Sequence, residues 1–230
     1  MNKQGFTLIE LLVVLVILGI LIAFLAPAIN NTVEQARRVA CLNNLRQMYI
    51  AMASYADDHG GQLKLIDMPD LKATMRYLFA YDQAVYLSFG IWDGTETIGY
   101  GELYSDGYID DIGIFFCPSA KRWTGTSSIF PGTSYDPYDF GKSGIELWGT
   151  YIYFLHCHYK WMPTGEILTP MTFSEHSNKT IFSDIYFDSE IRNHLNGANV
   201  AMGDGSVRWH SITEGSYFVE FMEAILSAGE

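Results

Sequence analysis

Residues 5–10, with the sequence GFTLIE, and the apolar run at residues 11–29 that follows them decide how this chain is organised. The run contains no charged side chain. As a helix rising about 1.5 Å per residue, it would be almost as long as the hydrocarbon layer of a bilayer is thick, about 30 Å. The sequence therefore predicts a single membrane-spanning helix near the N-terminus.

Two residues distinguish this segment from a simple membrane anchor. Glu10 places a carboxylate at the start of the apolar run, where a charge is costly and usually functional. Pro27 lies near the other end and removes one backbone hydrogen-bond donor. We expect Pro27 to bend or locally melt the helix rather than to end it.

The residues alone leave two other interpretations of this segment open. A secretory signal peptide would have a shorter apolar core and a cleavage site of small residues, and residues 23–28 loosely resemble such a site. A plain single-span anchor would need neither Glu10 nor the Gly5–Phe6 junction.

Residues 1–10, MNKQGFTLIE, resemble the class III signal of type IV pilins and type II secretion pseudopilins. The resemblance implies that a prepilin peptidase cuts between Gly5 and Phe6 and N-methylates the new Phe6 amine. It also implies that Glu10 faces the Phe6 amine of a neighbouring subunit during filament assembly. Pairing an ammonium with a carboxylate offsets much of the cost of placing each charge in lipid.

The same resemblance implies a location and a set of partners. The protein would cross the inner membrane once, with its C-terminal domain in the periplasm or at the cell surface. The charges Lys3, Arg37 and Arg38 do not decide the orientation, because they flank the run on both sides. The implied partners are like subunits, the prepilin peptidase and the inner-membrane assembly machinery.

The predicted domain organisation has four parts. They are a leader at residues 1–5, a transmembrane and assembly helix at 6–29, its amphipathic continuation at 30–60, and a globular α+β domain at 61–230. A membrane helix followed by an unrelated soluble helix, with a break at residues 27–31, is the alternative.

The continuation of the helix is predicted from spacing. Apolar side chains recur three and four residues apart and form one stripe, which consists of Cys41, Leu45, Met48, Met52 and Tyr55. The segment 57–61, DDHGG, is expected to end this helix, because glycine readily adopts the left-handed conformation after a helix C-terminus.

The composition excludes some classes of function. The chain has 230 residues, a formal net charge of -12 and 17% charged residues. A broad cationic face is therefore absent, and no nucleic acid is expected as a partner. The three cysteines, Cys41, Cys117 and Cys157, have no Cys-x-x-Cys spacing, which argues against a zinc ribbon or a thioredoxin-like site.

The middle of the chain is assigned from spacing and composition. We expect a helix at residues 71–86, a short helix or turn at 99–109, a buried strand at 112–116 and a long ordered loop at 124–149.

The C-terminal part carries clearer signals for strands. We expect strands at residues 149–156 and 180–184, a hairpin formed by 198–202 and 207–210, and a terminal amphipathic helix at 218–226. The pair Asp204-Gly205 suits the hairpin turn, because it readily supplies positive φ.

His194 precedes Asp204 and Gly205 with nine residues between the histidine and the aspartate, and this motif resembles the His-x9-Asp-Gly signature of pilin-like proteins related to the major pseudopilin. Segments 41–47 and 116–119 are also typical of that subfamily. The implied fold is α+β: a long N-terminal helix, membrane-spanning in its first half, packed on a C-terminal antiparallel sheet. Asn196 and Ser206 depart from the pattern, which weakens any metal-binding or catalytic role of the motif.

The side chains of His194, Asp184 and Asp204 are expected to converge at one end of the sheet. Carboxylates with carbonyl oxygens would suit calcium there, and no other cofactor is expected. The alternative is structural: Asp204 shapes the hairpin turn, and His194 bonds a backbone carbonyl.

The cysteines suggest a disulfide but no catalytic site. Cys41 lies on the helix stripe and Cys117 follows a predicted core strand, so we expect these two to pair, with two packed free thiols as the alternative. Cys157 lies between His156 and His158 on a predicted strand, where alternation puts the histidines on the face opposite the cysteine. A Cys–His nucleophile is therefore not expected there, and we assign no catalytic residue.

Together these observations predict a structural subunit of a type IV pilus-like or type II secretion pseudopilus filament, and not an enzyme. The alternative is a membrane-tethered extracytoplasmic module that binds a glycan, a cation or a protein. The Tyr- and Gly-rich segment 86–149 is the feature that favours this alternative.

Overall fold

The computed structural model describes residues 7–63, 74–80, 83–92, 97, 99–120, 133–134, 137–162, 165–170, 172–184, 193–194 and 196–212. The chain divides into two compact units, Met1–Arg37 and Arg38–Glu230, and each is described by itself.

Helix α1 extends from Leu8 to Asp58. It continues through Pro27, so the expectation that this proline would not end the helix is confirmed, and the alternative of two helices with a break at residues 27–31 is wrong. A helix-interior proline forfeits one backbone hydrogen bond, and here the helix continues on both sides of it.

In the first unit, the apolar side chains of α1 lie on the outside. Leu8 is 82% exposed and Ile22 is 65% exposed. By length and composition α1 is able to cross a membrane, and none of its most apolar 18-residue stretch is buried. A core helix of a soluble domain would bury these side chains, so this surface is suited to lipid or to apolar neighbours.

In the second unit, the predicted stripe of α1 is buried. Cys41, Leu45, Met48 and Met52 are fully buried, and Tyr55 packs against the same core. The spacing therefore identified the face of the helix that packs on the domain.

Two glycines follow the C-terminus of α1. Gly60 and Gly61 have φ of 69° and 84°, and the Gly61 N–H donates to the Ala56 carbonyl at 2.6 Å. This left-handed termination agrees with the end that the sequence predicts.

A single eight-stranded sheet forms most of the described remainder. Its strands are β1 (Thr74–Ala80), β2 (Gln83–Trp92), β3 (Thr133–Ser134), β4 (Glu146–Met162), β5 (Gly165–Pro170), β6 (Thr180–Asp184), β7 (Gly197–Met202) and β8 (Val207–Ser211). The order is β1-β2-β4-β6-β7-β8, and β3 and β5 pair with β4. All pairs are antiparallel except β3–β4, so the predicted α+β fold with an antiparallel sheet is confirmed.

The long strand β4 organises the sheet. It pairs with β2 on one side, and on the other with β6 near its start and with β5 near its end. Tyr151 and Tyr153 of β4 are fully buried and pair with Asp184 and Phe182 of β6. Strands predicted at residues 149–156 and 180–184 are thus confirmed.

The helix predicted at residues 71–86 is wrong. Its described residues form β1 and the start of β2, with Ala80 paired to Gln83 and Tyr86 paired to Leu155 of β4. Apolar spacing in a short run fits a helix and a strand almost equally well, and pairing with a long central strand decides between them. Residues 71–73 and 81–82 lie outside the described part.

The strand predicted at residues 112–116 is also wrong, because Ile112–Phe115 form a 3-10 helix. The Asp111 carboxylate accepts a hydrogen bond from the Gly113 N–H at 2.8 Å and caps this helix at its N-terminus. Phe115 and Phe116 are buried nonetheless, so the apolar run was correctly assigned to the core.

Other short helices precede and follow these segments. Gly99–Gly101 form a 3-10 turn that leads into helix α2 (Glu102–Ser105), which confirms the short helix predicted at 99–109. Two more 3-10 helices are Pro137–Asp139 and Phe173–His176. The loop predicted at 124–149 is shorter than expected, because β4 begins at Glu146; residues 124–132 and 135–136 lie outside the described part.

The predicted C-terminal hairpin consists of β7 and β8, with Val200 paired to Arg208. Gly205 has φ of 81°, and the Met202 N–H donates to the Ser206 carbonyl at 2.9 Å across the turn. The helix predicted at 218–226 falls outside the described residues.

Candidate functional site

The first candidate site is the start of α1. Gly5 and Phe6, where cleavage and methylation are expected, lie outside the described residues. The Thr7 N–H and hydroxyl both donate to Glu10 Oε2, at 2.8 Å and 2.7 Å, and the Glu10 N–H donates to Thr7 Oγ1 at 3.3 Å. This reciprocal arrangement is a capping box. Within one chain, Glu10 thus caps its own helix, and its role between subunits stays a prediction.

The second candidate site is a group of buried side chains between α1 and the sheet in the second unit. We call it the buried polar cluster; it comprises Cys41, Cys117, Asp184, Asn193, His194 and Asn199. Asp184 is 0% exposed and His194 is 2% exposed. Ionisable side chains are rarely buried to this degree unless they have specific partners, so the arrangement of the cluster is informative.

The Asp184 carboxylate is held by three donors. At Oδ2 it accepts from the Asn199 N–H at 2.7 Å and from Asn199 Nδ2 at 2.9 Å, and at Oδ1 from Asn193 Nδ2 at 3.1 Å. Burial raises the pKa of Asp184, whereas His194 and these hydrogen bonds act in the opposite direction. Because both carboxylate oxygens accept hydrogen bonds, the orientation of the carboxylate is fixed.

His194 lies between the carboxylate and the sulfur atoms. Its Nε2 is 3.4 Å from Asp184 Oδ2 and 3.5 Å from Cys117 Sγ. The imidazole packs edge-on against the Trp209 ring, with centroids 5.6 Å apart. The Arg38 guanidinium lies 3.2 Å from the centroid of that ring, which is a cation–π contact.

A disulfide joins Cys41 of α1 to Cys117, with a Cα–Cα distance of 5.2 Å and a sequence separation of 76. The Cys117 N–H donates to Thr150 Oγ1 of β4. These are the two cysteines that the sequence suggested as a pair. The bond fixes the helix to the segment that follows the 3-10 helix at Ile112–Phe115.

Asparagines also connect α1 to the rest of the domain. Asn44 Nδ2 donates to the Phe116 carbonyl at 3.1 Å and to the Tyr151 hydroxyl at 3.2 Å. Asn199 Nδ2 reaches the Arg38 carbonyl at 3.3 Å. Burial raises the pKa of Tyr151 well above its ordinary value, so this phenol is a neutral hydrogen-bonding group.

Gly197 allows the Trp209 ring to lie close to β7. A Cβ atom at Gly197 would lie 2.2 Å from the His210 carbonyl oxygen and 2.6 Å from the Trp209 ring. Only glycine fits there without movement of neighbouring atoms. Its role is therefore steric, since it lets Trp209 cover His194.

The expected convergence of His194, Asp184 and Asp204 is correct for only two of the three. Asp204 lies in the exposed β7–β8 turn, where its side chain is 44% exposed. Its Oδ1 accepts from the Ser206 N–H at 2.8 Å, and hydrogen bonds with Ser206 lower the pKa of Asp204. The structural alternative for Asp204 thus holds, because its own turn occupies the carboxylate. The calcium site stays a prediction.

Sequence reasoning missed Asn193, Asn199 and Thr150. Asn193 connects the carboxylate to β4, since its Nδ2 also donates to the Thr150 carbonyl at 2.6 Å. The available signal was Asn199, which stands between apolar neighbours in a strand that is buried along its whole length. A polar side chain in such a strand requires a buried partner, and here that partner is Asp184.

The positions of His156, Cys157 and His158 agree with the strand assignment only at the level of the backbone. They belong to β4 and pair with Val85, Ala84 and Gln83 of β2. Their side chains lie outside the described part, so the assignment of the two histidines to one face stays a prediction.

Comparison with known proteins identifies the N-terminal segment. Residues 1–26 match the family model described as the prokaryotic N-terminal methylation motif. The chain is also similar to the ComG operon protein 3 homolog of Bacillus licheniformis, with 31% identity over 62 residues, which are 27% of this chain and 64% of that protein. The match thus spans less than two thirds of this relative. No solved structure matches the chain. The prepilin-type segment predicted from residues 1–10 is confirmed.

Proposed function

We propose that this chain, whose first 26 residues carry a prepilin-type methylation motif, is a structural subunit of a type IV pilus-like or type II secretion pseudopilus filament. A prepilin peptidase cuts it between Gly5 and Phe6 and methylates the Phe6 amine. The subunit then leaves the inner membrane and stacks on like subunits through α1.

One observation carries this proposal: the methylation motif coincides with a helix whose apolar side chains are exposed. The apolar surface begins at Leu8 and includes Leu25 and Ile29. Such a surface needs lipid before assembly, and packing against identical helices replaces lipid with apolar contacts of the same kind. The motif and the apolar surface together favour a subunit whose helix moves from lipid to contacts with identical helices.

Glu10 gives this exchange a register. In the free subunit its Oε2 accepts both hydrogen bonds from Thr7, and a carboxylate has acceptor capacity for a further donor. The methylated Phe6 amine of a neighbour is a cation that suits this carboxylate. Because an unpaired charge in an apolar environment costs several kcal/mol, the stacking offset that pairs the two groups is strongly preferred over its neighbours.

The C-terminal unit serves as the displayed domain of the subunit. Its sheet, its aromatic core and the Cys41–Cys117 disulfide make a rigid body on the second half of α1. We assign no catalytic role to this chain; the chemistry of the pathway belongs to the peptidase, for which the chain is a substrate. Single-pass insertion with this domain outside the inner membrane follows from the proposal.

The test is replacement of Glu10. Glu10→Ala should abolish filaments, because the assembling amine then has no anionic partner, and the processed subunit should accumulate in the membrane. Filaments are measured by shearing cells, immunoblotting the sheared and membrane fractions, and electron microscopy. Asp110→Ala is the matched control, since it removes a carboxylate from an exposed position of the domain, and it should assemble normally.

Glu10→Ala filaments in wild-type amounts would contradict the proposal. If the wild-type protein formed no filaments and Glu10→Ala bound an external ligand as well as wild type does, a membrane-tethered binding module would replace the filament subunit.

A further inference from the structure

We propose that the buried polar cluster is a zinc site when the Cys41–Cys117 disulfide is reduced, with Cys41, Cys117, His194 and Asp184 as the four ligands. One ligand atom from each of these residues lies within 4.8 Å of the others, and all four residues are buried. In the oxidised protein the disulfide occupies this position. Reduction converts it into a site for one divalent transition-metal ion.

The distances in the oxidised protein already match two edges of a zinc tetrahedron. Zinc bonds of about 2.3 Å to sulfur, 2.0–2.1 Å to nitrogen and 2.0–2.2 Å to oxygen give edges of about 3.5 Å and about 3.4 Å. The observed distances are 3.5 Å for Cys117 Sγ to His194 Nε2 and 3.4 Å for His194 Nε2 to Asp184 Oδ2. The sulfur–sulfur edge must lengthen, and reduction frees the two sulfurs to separate to about 3.8 Å. The remaining edges are already no longer than 4.8 Å.

The donor set selects the metal. Two thiolates and an imidazole are ligands that zinc accepts, whereas calcium and magnesium prefer oxygen donors throughout. All four ligands come from the protein and are buried, which is the arrangement of a structural zinc site without an open position. The ion also offsets the negative charge that two thiolates and a carboxylate would otherwise bring into the interior.

Supporting contacts hold the ligands in place before a metal enters. Asn199 and Asn193 fix the Asp184 carboxylate, and Trp209 packs against the His194 ring. Such outer contacts orient metal ligands and strongly affect affinity. Trp209 is half-buried and lies beneath the Arg38 guanidinium.

The reaction balances with an external reductant, either a dithiol or a phosphine. The reductant supplies two electrons, the Cys41–Cys117 bond breaks, and each sulfur takes up one proton. A dithiol closes to its own disulfide, and a phosphine takes oxygen from water to become the phosphine oxide. When zinc binds, both thiols become thiolates and release two protons to solvent.

The test uses the full chain in detergent micelles. The protein is reduced with a phosphine under nitrogen, freed of reductant, and titrated with Zn²⁺ against a chromophoric chelator. The proposal predicts one ion per chain, release of two protons, and no binding at this site in the oxidised protein. With Co²⁺ as the spectroscopic probe, it predicts thiolate-to-metal charge transfer and the d–d bands of tetrahedral coordination.

Three variants separate this site from other interactions with metal. Cys157→Ser removes the remaining thiol and should bind Zn²⁺ as the wild type does. Asn193→Ala loses a positioning contact and should weaken Zn²⁺ binding about 10–100-fold while the Co²⁺ spectrum keeps its thiolate bands. His194→Ala should weaken binding more than Asn193→Ala and change the d–d bands, because a ligand is lost.

Several results would overturn the proposal. These are equal binding by the oxidised and reduced protein, Co²⁺ bands of octahedral coordination without charge transfer, or loss of binding in Cys157→Ser. Circular dichroism provides the check on folding: a reduced chain that unfolds and does not recover with Zn²⁺ also contradicts it.

Discussion

The His194 Nε2 atom lies 3.4 Å from Asp184 Oδ2 in the interior of the C-terminal unit, and both side chains are almost completely buried. Asp184 ends β6, and His194 belongs to the segment before β7. The His194–Asp184 pair and the two asparagines that donate to the carboxylate therefore connect β6 and the segment before β7 to the disulfide. His194, which the sequence motif assigns to a ligand site, thus also has a structural role in the domain.

Replacing Asp184 by Ala should strongly destabilise the domain. The change leaves the Asn199 N–H and the Asn193 amide without their acceptor, and His194 without its anionic neighbour. We expect a loss of about 3–5 kcal/mol in the free energy of unfolding, as for other broken buried pairs. Urea denaturation of the full chain in detergent, followed by near-ultraviolet circular dichroism, measures it. Asp110→Ala, at an exposed position, should change it by less than about 0.5 kcal/mol.

The pH dependence of stability should reveal the same carboxyl. Burial raises the pKa of Asp184 above its usual 3.8, so the folded state binds this proton more tightly than the unfolded state. The resulting stabilisation is complete below pH 3.8 and is lost as the pH rises through the folded-state pKa. The free energy of unfolding of the wild type, relative to that of Asp184→Asn, should therefore be highest at low pH and should fall as the pH increases. A stability advantage of the wild type that grows with pH would contradict this assignment.

Gly197→Ala should destabilise the β7–β8 hairpin. The added methyl group would meet the His210 carbonyl and the Trp209 ring, so one of them must move. We expect a cost of about 1–3 kcal/mol from the steric conflict, with a change in Trp209 fluorescence. Gly60→Ala is the comparison: among the described residues no neighbouring atom lies within 4 Å of a Cβ there, and the positive φ opposes the change, at about 1–2 kcal/mol. If Gly60→Ala altered Trp209 fluorescence as Gly197→Ala does, the steric explanation would be wrong.

The disulfide should contribute substantially to stability. It closes a loop with a sequence separation of 76, for which the chain-entropy model gives about 4 kcal/mol. The Cys41→Ser/Cys117→Ser double variant should therefore unfold at a much lower urea concentration than the oxidised wild type, with chelator present to exclude metal. Cys157→Ser should unfold at the same urea concentration as the wild type. Equal midpoints for the double variant and the wild type would show that this bond does not restrain the unfolded chain.

The sequence predicted those parts of the fold in which local pattern and burial agree. The stripe from Cys41 to Met52 repeats at the helical period and is buried, and the turn at Asp204-Gly205 needs the positive φ that Gly205 has. In each case a single property of the chain specifies both the element and its orientation. The N-terminal motif is similar, since it resides in contiguous residues and requires no tertiary contact.

The errors fall where strand pairing or a capping side chain decides the local structure. Residues 74–80 have apolar spacing that suits a helix, but pairing of β1 with β2, and of β2 with β4, makes them a strand. At residues 112–115, the Asp111 cap favours a 3-10 turn over an apolar strand. Neither the pairing partner nor the cap is part of the hydrophobic pattern from which the strands and helices were assigned.

The candidate site was only half predictable for the same reason. His194 and Asp184 have side chains that suit a ligand site, but the distance between them depends on the register of β6 and β7. That register also brings Asn199 to the carboxylate and leaves Asp204 in the turn. Residue types indicate which side chains could form such a cluster, and the strand register determines which of them lie close together.

Intact mass and N-terminal sequencing of the protein recovered from membranes decide whether this chain enters the prepilin pathway. We expect a chain that begins at Phe6 and carries one methyl group on its α-amine. A chain that still begins at Met1, or one cut near Ala28, would contradict it.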